Sequence, residues 1–352
     1  MYEFLSSDRM IALFLAGMLV FGAGCSGLLG DDGGSSDTDT LEIVPEGSNM
    51  VMEFDSSVIR DEATVTLMNG LAEMSGEDQT YEEMLEEAES ESNLSIDNFN
   101  SALMFGKVED FDDQNIEDSG QEYVGIIMDT EWTYEELQQA SDDGMSDDLE
   151  EDTYNGVTVY KTTNEMGEET WLADLEDGLF VAGIPEATQD AIDTYQGDKN
   201  SFSGDVRDAY ENAEDGHMKA AMVLPESAEE AAGGGGMNMP TPNILTMTYH
   251  TDGTTMNVDT NMKMASEEDA NNLNGTLNLF LGSMGQGSQD DPTAKLLEAL
   301  SIQQEGDTVR VSISMTAEEL LQLIEESGGM MGPGMGQDPF SVSSTGSSGI
   351  AG

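Results

Sequence analysis

Positive charge is what this sequence has least of. Ten lysines and arginines stand against 73 aspartates and glutamates in 352 residues, a formal net charge of −63 at pH 7. That deficit excludes nucleic acid as a partner, because affinity for phosphates rests on Lys and Arg. It repels anionic lipid headgroups for the same reason. Cysteine is scarcer still: Cys25 is the sole one, so an internal disulfide framework is excluded and stability must come from packing. Histidine occurs only at His217 and His250, far apart in sequence, which leaves imidazole-based catalysis little to draw on. The N-terminal apolar run, Met10 to Gly24, is 15 residues long. A spanning helix needs ~20, so the run is short for a membrane anchor.

A compact chain with this charge repels itself in ordinary saline. Two states resolve the conflict. Low hydrophobicity with high net charge is the signature of disorder, or the chain folds where concentrated salt shrinks the Debye length to ~3 Å. The hydrophobic fraction is 38%, and periodic apolar segments recur along the chain. Both favour folding in salt, and the acidic surface is read as that of a protein from an extreme halophile.

The length of the N-terminal run suits a signal-peptide core, with small residues before a cleavage point. In "FGAGC" (Phe21–Cys25) small residues immediately precede the cysteine, as in the lipobox of secreted lipoproteins; Gly22 departs from the aliphatic residue usual there, and no twin arginine precedes the run. "SGLLGDDGGSSDTDT" then follows as a flexible Gly/Ser/Asp tether. The expected organisation is a signal peptide over 1–24, a lipidated Cys25 with its tether over 25–40, and an α+β lobe over 41–232. A Gly-rich joint (233–242), a second α+β lobe (243–327) and a disordered tail (328–352) complete it.

From residue 41 the chain alternates strands with capped helices. "NMVMEFD" places Met50, Met52 and Phe54 on one face by a period of two. Asp252-Gly253 marks a hairpin between two alternating strands, and Gly306-Asp307 marks another. Helices begin directly after the hairpins: Ser266 with Asp269 reads as an N-cap, and Thr316 with Glu319 as a capping box. Thr133 with Glu136 repeats the box earlier in the chain. Hairpins joined directly to helices predict an α+β fold of antiparallel sheet, with helices on one face. Thr246, Thr248, His250, Arg310, Ser312 and Ser314 then line a wet, polar face.

Chemistry-bearing motifs are few. Asp110, Asp112 and Asp113 open a possible calcium loop, but Gln114 and Asn115 stand where the pattern needs a ligand and a glycine. The acidic run 141–152 reads as a solvated loop. Met237, Met239, Met330, Met331 and Met335 are thioethers of a kind that suits Cu(I), yet no histidine accompanies them and a flexible segment accounts for them. "GGGG" at 233–236 lacks the lysine of a phosphate loop, and no G-x-S-x-G elbow occurs. No catalytic residue, metal ligand or cofactor is assigned. "NLS" at Asn93 and "NGT" at Asn274 are N-glycosylation sequons, with Asn93 the better candidate because Asn274 falls in a predicted helix.

With "GAGC", the Gly/Ser/Asp tether and the strand–helix segment "WLADLEDGLFVAGIPEATQDAID" in view, the chain resembles haloarchaeal surface lipoproteins of an uncharacterised kind. The resemblance implies a lipid-anchored protein on the outer face of the cell membrane with a non-enzymatic binding or envelope role, held by a lipid on Cys25; its protein or solute partner is unread. Two alternatives stand beside it: a solute-binding lipoprotein of a transporter, and an exported hydrolase using paired carboxylates.

Overall fold

The computed structural model describes residues 40–76, 79–107, 123–141, 150–163, 169–225, 240–284 and 292–326. Cys25, the tether up to residue 39, the tail, residues 233–239 of the Gly-rich joint, Asp110–Asp113 and the methionines of joint and tail lie outside them.

Among the described residues twelve strands form one sheet. In chain order they are β1 (Met50–Asp55), β2 (Phe99–Gly106), β3 (Val124–Thr130), β4 (Glu150–Tyr154), β5 (Val157–Thr163) and β6 (Glu169–Asp174). β7 (Leu179–Gly183), β8 (Met218–Val223), β9 (Ile244–Asp252), β10 (Thr255–Lys263), β11 (Leu300–Glu305) and β12 (Thr308–Thr316) follow. Their order across the sheet is β11-β12-β10-β9-β8-β1-β2-β3-β7-β6-β5-β4. All eleven pairings are antiparallel. β8 pairs with β9 from Met218↔Tyr249 to Val223↔Ile244, so segments 41–232 and 243–327 share one continuous sheet.

Eight α-helices accompany it among the described residues: α1 (Glu62–Ser75), α2 (Tyr81–Ser92), α3 (Tyr134–Ser141), α4 (Pro185–Tyr195), α5 (Asp205–Asn212), α6 (Glu267–Met284), α7 (Pro292–Ala299) and α8 (Ala317–Glu326). The capping signals work as the sequence proposes. Thr133 Oγ1 accepts from the Glu136 amide at 3.3 Å while Glu136 accepts from the Thr133 amide at 2.8 Å. Thr316 and Glu319 repeat the exchange at 3.2 and 2.8 Å, and Ser266 accepts from the Asp269 amide at 3.2 Å.

The helices do not share one face, which corrects the sequence expectation. Val51 and Met52 are neighbours, so their side chains leave opposite sides of β1. Val51 joins Leu103, Ile127 and Val181 in a core covered by Ala187, Ala191 and Ile192 of α4, Val206 of α5, and Leu41, Ile43 and Val44. Met52 and Phe54 pack instead with Met218, Tyr249 and Met256 beneath Leu67 of α1 and Leu320 of α8. On that second face α3 closes over Phe180 and Met128, and α6 over Val309 and Met262. A strand buried on both sides has apolar residues at both parities. A period-two reading sees only one of its two cores.

The Glu176-Asp177-Gly178 turn links β6 to β7 with all three residues at positive φ (74°, 53° and 82°). Gly178 is required there for a second reason: a Cβ would sit 1.9 Å from the Thr130 carbonyl oxygen. Its own carbonyl accepts from both the Thr130 amide and hydroxyl at 3.0 Å, pinning the turn to β3.

Candidate functional site

The α4/α5 face of the sheet changes character midway. Over β2, β3 and β7 it is apolar and covered by α4. Over β8 to β12 it is polar. Register places Glu53, Lys219, Thr248, Asp259 and Ser312 side by side in one row across β1, β8, β9, β10 and β12. All five point to the same side, because cross-strand partners share a face. The adjoining row carries Asp55, His217, His250 and Asn257: the Asp55 amide donates to the His217 carbonyl at 2.8 Å, and His250 pairs with Asn257. A polar ridge thus crosses five strands.

The polar face that the sequence expects to be wet is so only in part: Ser314 is exposed and His250, Arg310 and Ser312 partly so, while its two threonines are covered. Thr248 is fully buried and Thr246 nearly so, and the chain leaving α5 lies against Thr248. Gly216 makes this approach possible, since a Cβ there would stand 2.3 Å from the Tyr249 carbonyl oxygen and 2.8 Å from the Thr248 methyl. The hydroxyl of Thr248 has no hydrogen-bond partner among the described residues.

One end of the ridge is organised by Arg310. Its Nε and Nη2 reach Asp259 Oδ1 at 3.0 and 2.9 Å, and Nη1 reaches Glu214 at 2.8 Å. The Ser312 hydroxyl also donates to Asp259. Asp259 is 5% exposed, and a buried carboxylate persists in charged form only when paired in this way. The shared guanidinium raises its own affinity for the proton through hydrogen bonds first to Glu214 and then to Asp259. His250 completes the group: one ligand atom from each of Glu214, His250 and Asp259 lies within 4.8 Å of the others. His250 Nδ1 is buried without a hydrogen-bond partner among the described residues.

The other end is built on Asp55, Ser57 and His217. Asp55 caps a short 3-10 turn (Ser56–Arg60) by accepting from the Ser57 amide at 2.9 Å, and accepts from the Ser57 hydroxyl as well. Ser57 Oγ lies 2.9 Å from His217 Nδ1. Since the single hydroxyl proton goes to Asp55, His217 Nδ1 carries the proton in that contact and donates to Ser57. Nε2 is then a bare lone pair, buried and without a hydrogen-bond partner among the described residues. Ser57 donates away from the imidazole, the reverse of the polarity that a serine nucleophile needs.

Burial, and after it the charge of His250, holds the His217 imidazole down at about 3. The folded protein therefore keeps His217 neutral where an unfolded chain protonates it near ~6.5. With its folded value depressed, a base makes the unfolded state the better proton acceptor, so stability falls as pH drops below ~6.5 and continues falling toward the folded value. Between pH 7 and pH 5 the expected loss through His217 is about 2 kcal/mol. Urea titrations in molar KCl measure it; His217→Asn keeps an N–H for Ser57 and should flatten the profile over that interval. An unchanged slope in the variant would remove His217 from the account.

A second polar group is structural. Lys199 bridges Asp190 and Asp193 of α4, while Tyr123 donates to Asp190 at 2.9 Å and Asn155 to Asp193 at 2.8 Å. These bonds fix α4 to the loops around it and leave its carboxylates engaged.

Of the residues singled out from sequence, Asn93 is exposed in the left-handed conformation that ends α2. Asn274 lies within α6 and donates to Gln304 at 3.3 Å. His217 and His250, separate in sequence, share one row of the ridge. Glu214, Asp259, Asp55 and Ser57 were not singled out. One signal for the site was legible: the chain has only four arginines, and Arg310 alone stands within a strand pattern.

The fold and the ridge together define an all-antiparallel α+β protein with a buried, charge-compensated polar layer on one half of its sheet. Residues 108–263 match the family described as "Protein of unknown function (DUF3352)", a stretch holding His217, Glu214, His250 and Asp259 but ending before Arg310. No curated protein matches the chain. Among solved structures, crystal form III of TP0453 is similar with a TM-score of 0.48 at 11% identity, covering 82% of this chain and 99% of that one. Crystal form I of TP0453 gives 0.45 at 11% identity, covering 82% and 97%.

Proposed function

We propose that this is a lipid-anchored protein of the extracytoplasmic face of a halophile's membrane, with a non-enzymatic binding or envelope role. The observation that carries the non-enzymatic part is the commitment of the ridge's polar groups to one another. Arg310 spans both carboxylates, and Ser57 gives its proton to Asp55 rather than to an imidazole. A hydrolase using paired carboxylates needs one of them free to move a proton. The transporter alternative rests on two α/β lobes with parallel strands; eleven antiparallel pairings in one sheet speak against that reading.

The anchor is supported by sequence alone: a short apolar run, small residues before Cys25, and a tether behind it. A diacylated cysteine holds where one acyl chain gives only marginal binding. Cys25→Ser is expected to move the protein from the membrane fraction to the medium, read by immunoblot of fractionated cells. Retention of the variant in the membrane would overturn the anchor.

A further inference from the structure

We infer that Glu214, His250 and Asp259 form a binding site for a divalent transition-metal ion of the zinc class, with Arg310 as the resident counter-charge that the ion displaces. Three observations converge on it. The three side chains offer one imidazole nitrogen and two carboxylate oxygens, all within 4.8 Å of one another. Two of those donors stand on the neighbouring strands β9 and β10, and the third comes down on them from the segment after α5. The wall beside Asp259 also holds an unused donor atom: Thr248, its direct partner across the ladder, is fully buried with no partner for its hydroxyl among the described residues.

The donor set decides the class of ion. Carboxylates alone suit Mg2+ and Ca2+, whereas an imidazole beside them shifts preference to zinc and its neighbours. Metal–ligand bonds of ~2.0–2.2 Å place tetrahedral ligands roughly 3.3 Å apart, so atoms within 4.8 Å of one another need draw in by at most about 1.5 Å. Asp259 is fixed by burial, while the Glu214 side chain is 53% exposed and held by Arg310, so it can move once the guanidinium turns away. Arg310 now supplies the positive charge that both carboxylates require. An incoming dication does the same work with more charge, and the guanidinium, 34% exposed, has water to turn toward. The site is therefore one in which an internal cation competes with an external one.

Co2+ is the probe, added to the full chain in molar KCl with excess Mg2+ to occupy ordinary surface carboxylates. Calorimetry gives stoichiometry and affinity, visible d–d absorption reports imidazole–carboxylate coordination, and circular dichroism confirms that each variant is folded. One equivalent is expected to bind with a d–d band. His250→Ala should abolish the band and weaken binding about 10–100-fold, at least what loss of a supporting group costs a metal site. Glu214→Gln, on an exposed side chain that folding does not need, should weaken it about tenfold. Arg310→Gln should tighten it, because the competitor is gone. Equal affinity and spectrum in His250→Ala and Glu214→Gln would overturn the site. Weaker binding in Arg310→Gln would overturn the displacement.

Discussion

Dialysis from molar KCl to about 10 mM should unfold the protein cooperatively, with loss of both helical and strand signal, and return of salt should restore it. Over that range the Debye length grows from ~3 Å to ~30 Å, so carboxylates that ignore one another in brine begin to repel across the whole surface. The formal charge of −63 has only ten side-chain cations within the chain to offset it. Six of those cations are already committed: Arg60 to Asp97, Lys161 to Asp152, Lys199 to Asp190, Arg207 to Glu42 and Glu211, Lys219 to Asp215, and Arg310 to Asp259 and Glu214. Screening must therefore come from solution. Salt also strengthens hydrophobic burial, and sucrose separates the two effects, since it is excluded from protein surfaces but screens nothing. Sucrose at low salt should fail to restore the fold. A midpoint of unfolding indifferent to KCl would contradict the halophilic reading.

Arg310→Ala should cost about 3 kcal/mol in urea titrations at molar KCl. The figure is at the low end for breaking a buried ion pair, because Arg310 is one-third exposed even though Asp259 is not. Removing the guanidinium leaves Asp259, itself buried, with the Ser312 hydroxyl as its side-chain donor among the described residues. Lys219, in the same row, is held over the Tyr210 ring at 4.8 Å and bonded to Asp215, so it cannot take over without giving those up. The test is a double-mutant cycle. In an Asp259→Asn background, where the charge is already gone, the same Arg310→Ala change should cost much less. Additive costs would mean that the two side chains do not stabilise one another.

Much of the fold was legible locally. Hairpin turns at Asp252-Gly253 and Gly306-Asp307, and capping boxes at Thr133 and Thr316, depend on three or four adjacent residues, and the structure contains them all. β2 was harder to read, because Leu103 and Phe105 bury on one face and Ala102 on the other, which erases alternation. β4 hid for the opposite reason. As an edge strand with Glu150, Glu151 and Asp152 all exposed, it has no inward apolar series to betray it. Its carboxylates instead discourage another strand from adding there. Helix α1 contains Val65, Thr66 and Gly70, poor formers by propensity; it is held by Asp61 capping at 3.0 Å and by Leu67 in the core. Which face a helix covers is a tertiary outcome, and periodicity carries no information about it. The ridge was the least legible feature, since its members come from five strands whose register only the folded sheet brings into line.

The way the chain enters the fold has a mechanical consequence. Ile43 and Val44 are buried, and the strap they belong to is stitched on by two backbone bonds, Phe202 to Val44 at 2.7 Å and Glu46 to Asn200 at 3.0 Å. Tension arriving from upstream of Thr40 meets this strap first. It must peel Leu41 to Glu46 away from residues 200–202, the segment that follows α4, before any of the load reaches the long ladders of the sheet. The strap is thus a sacrificial stop, yielding a few residues of slack while the twelve strands stay paired.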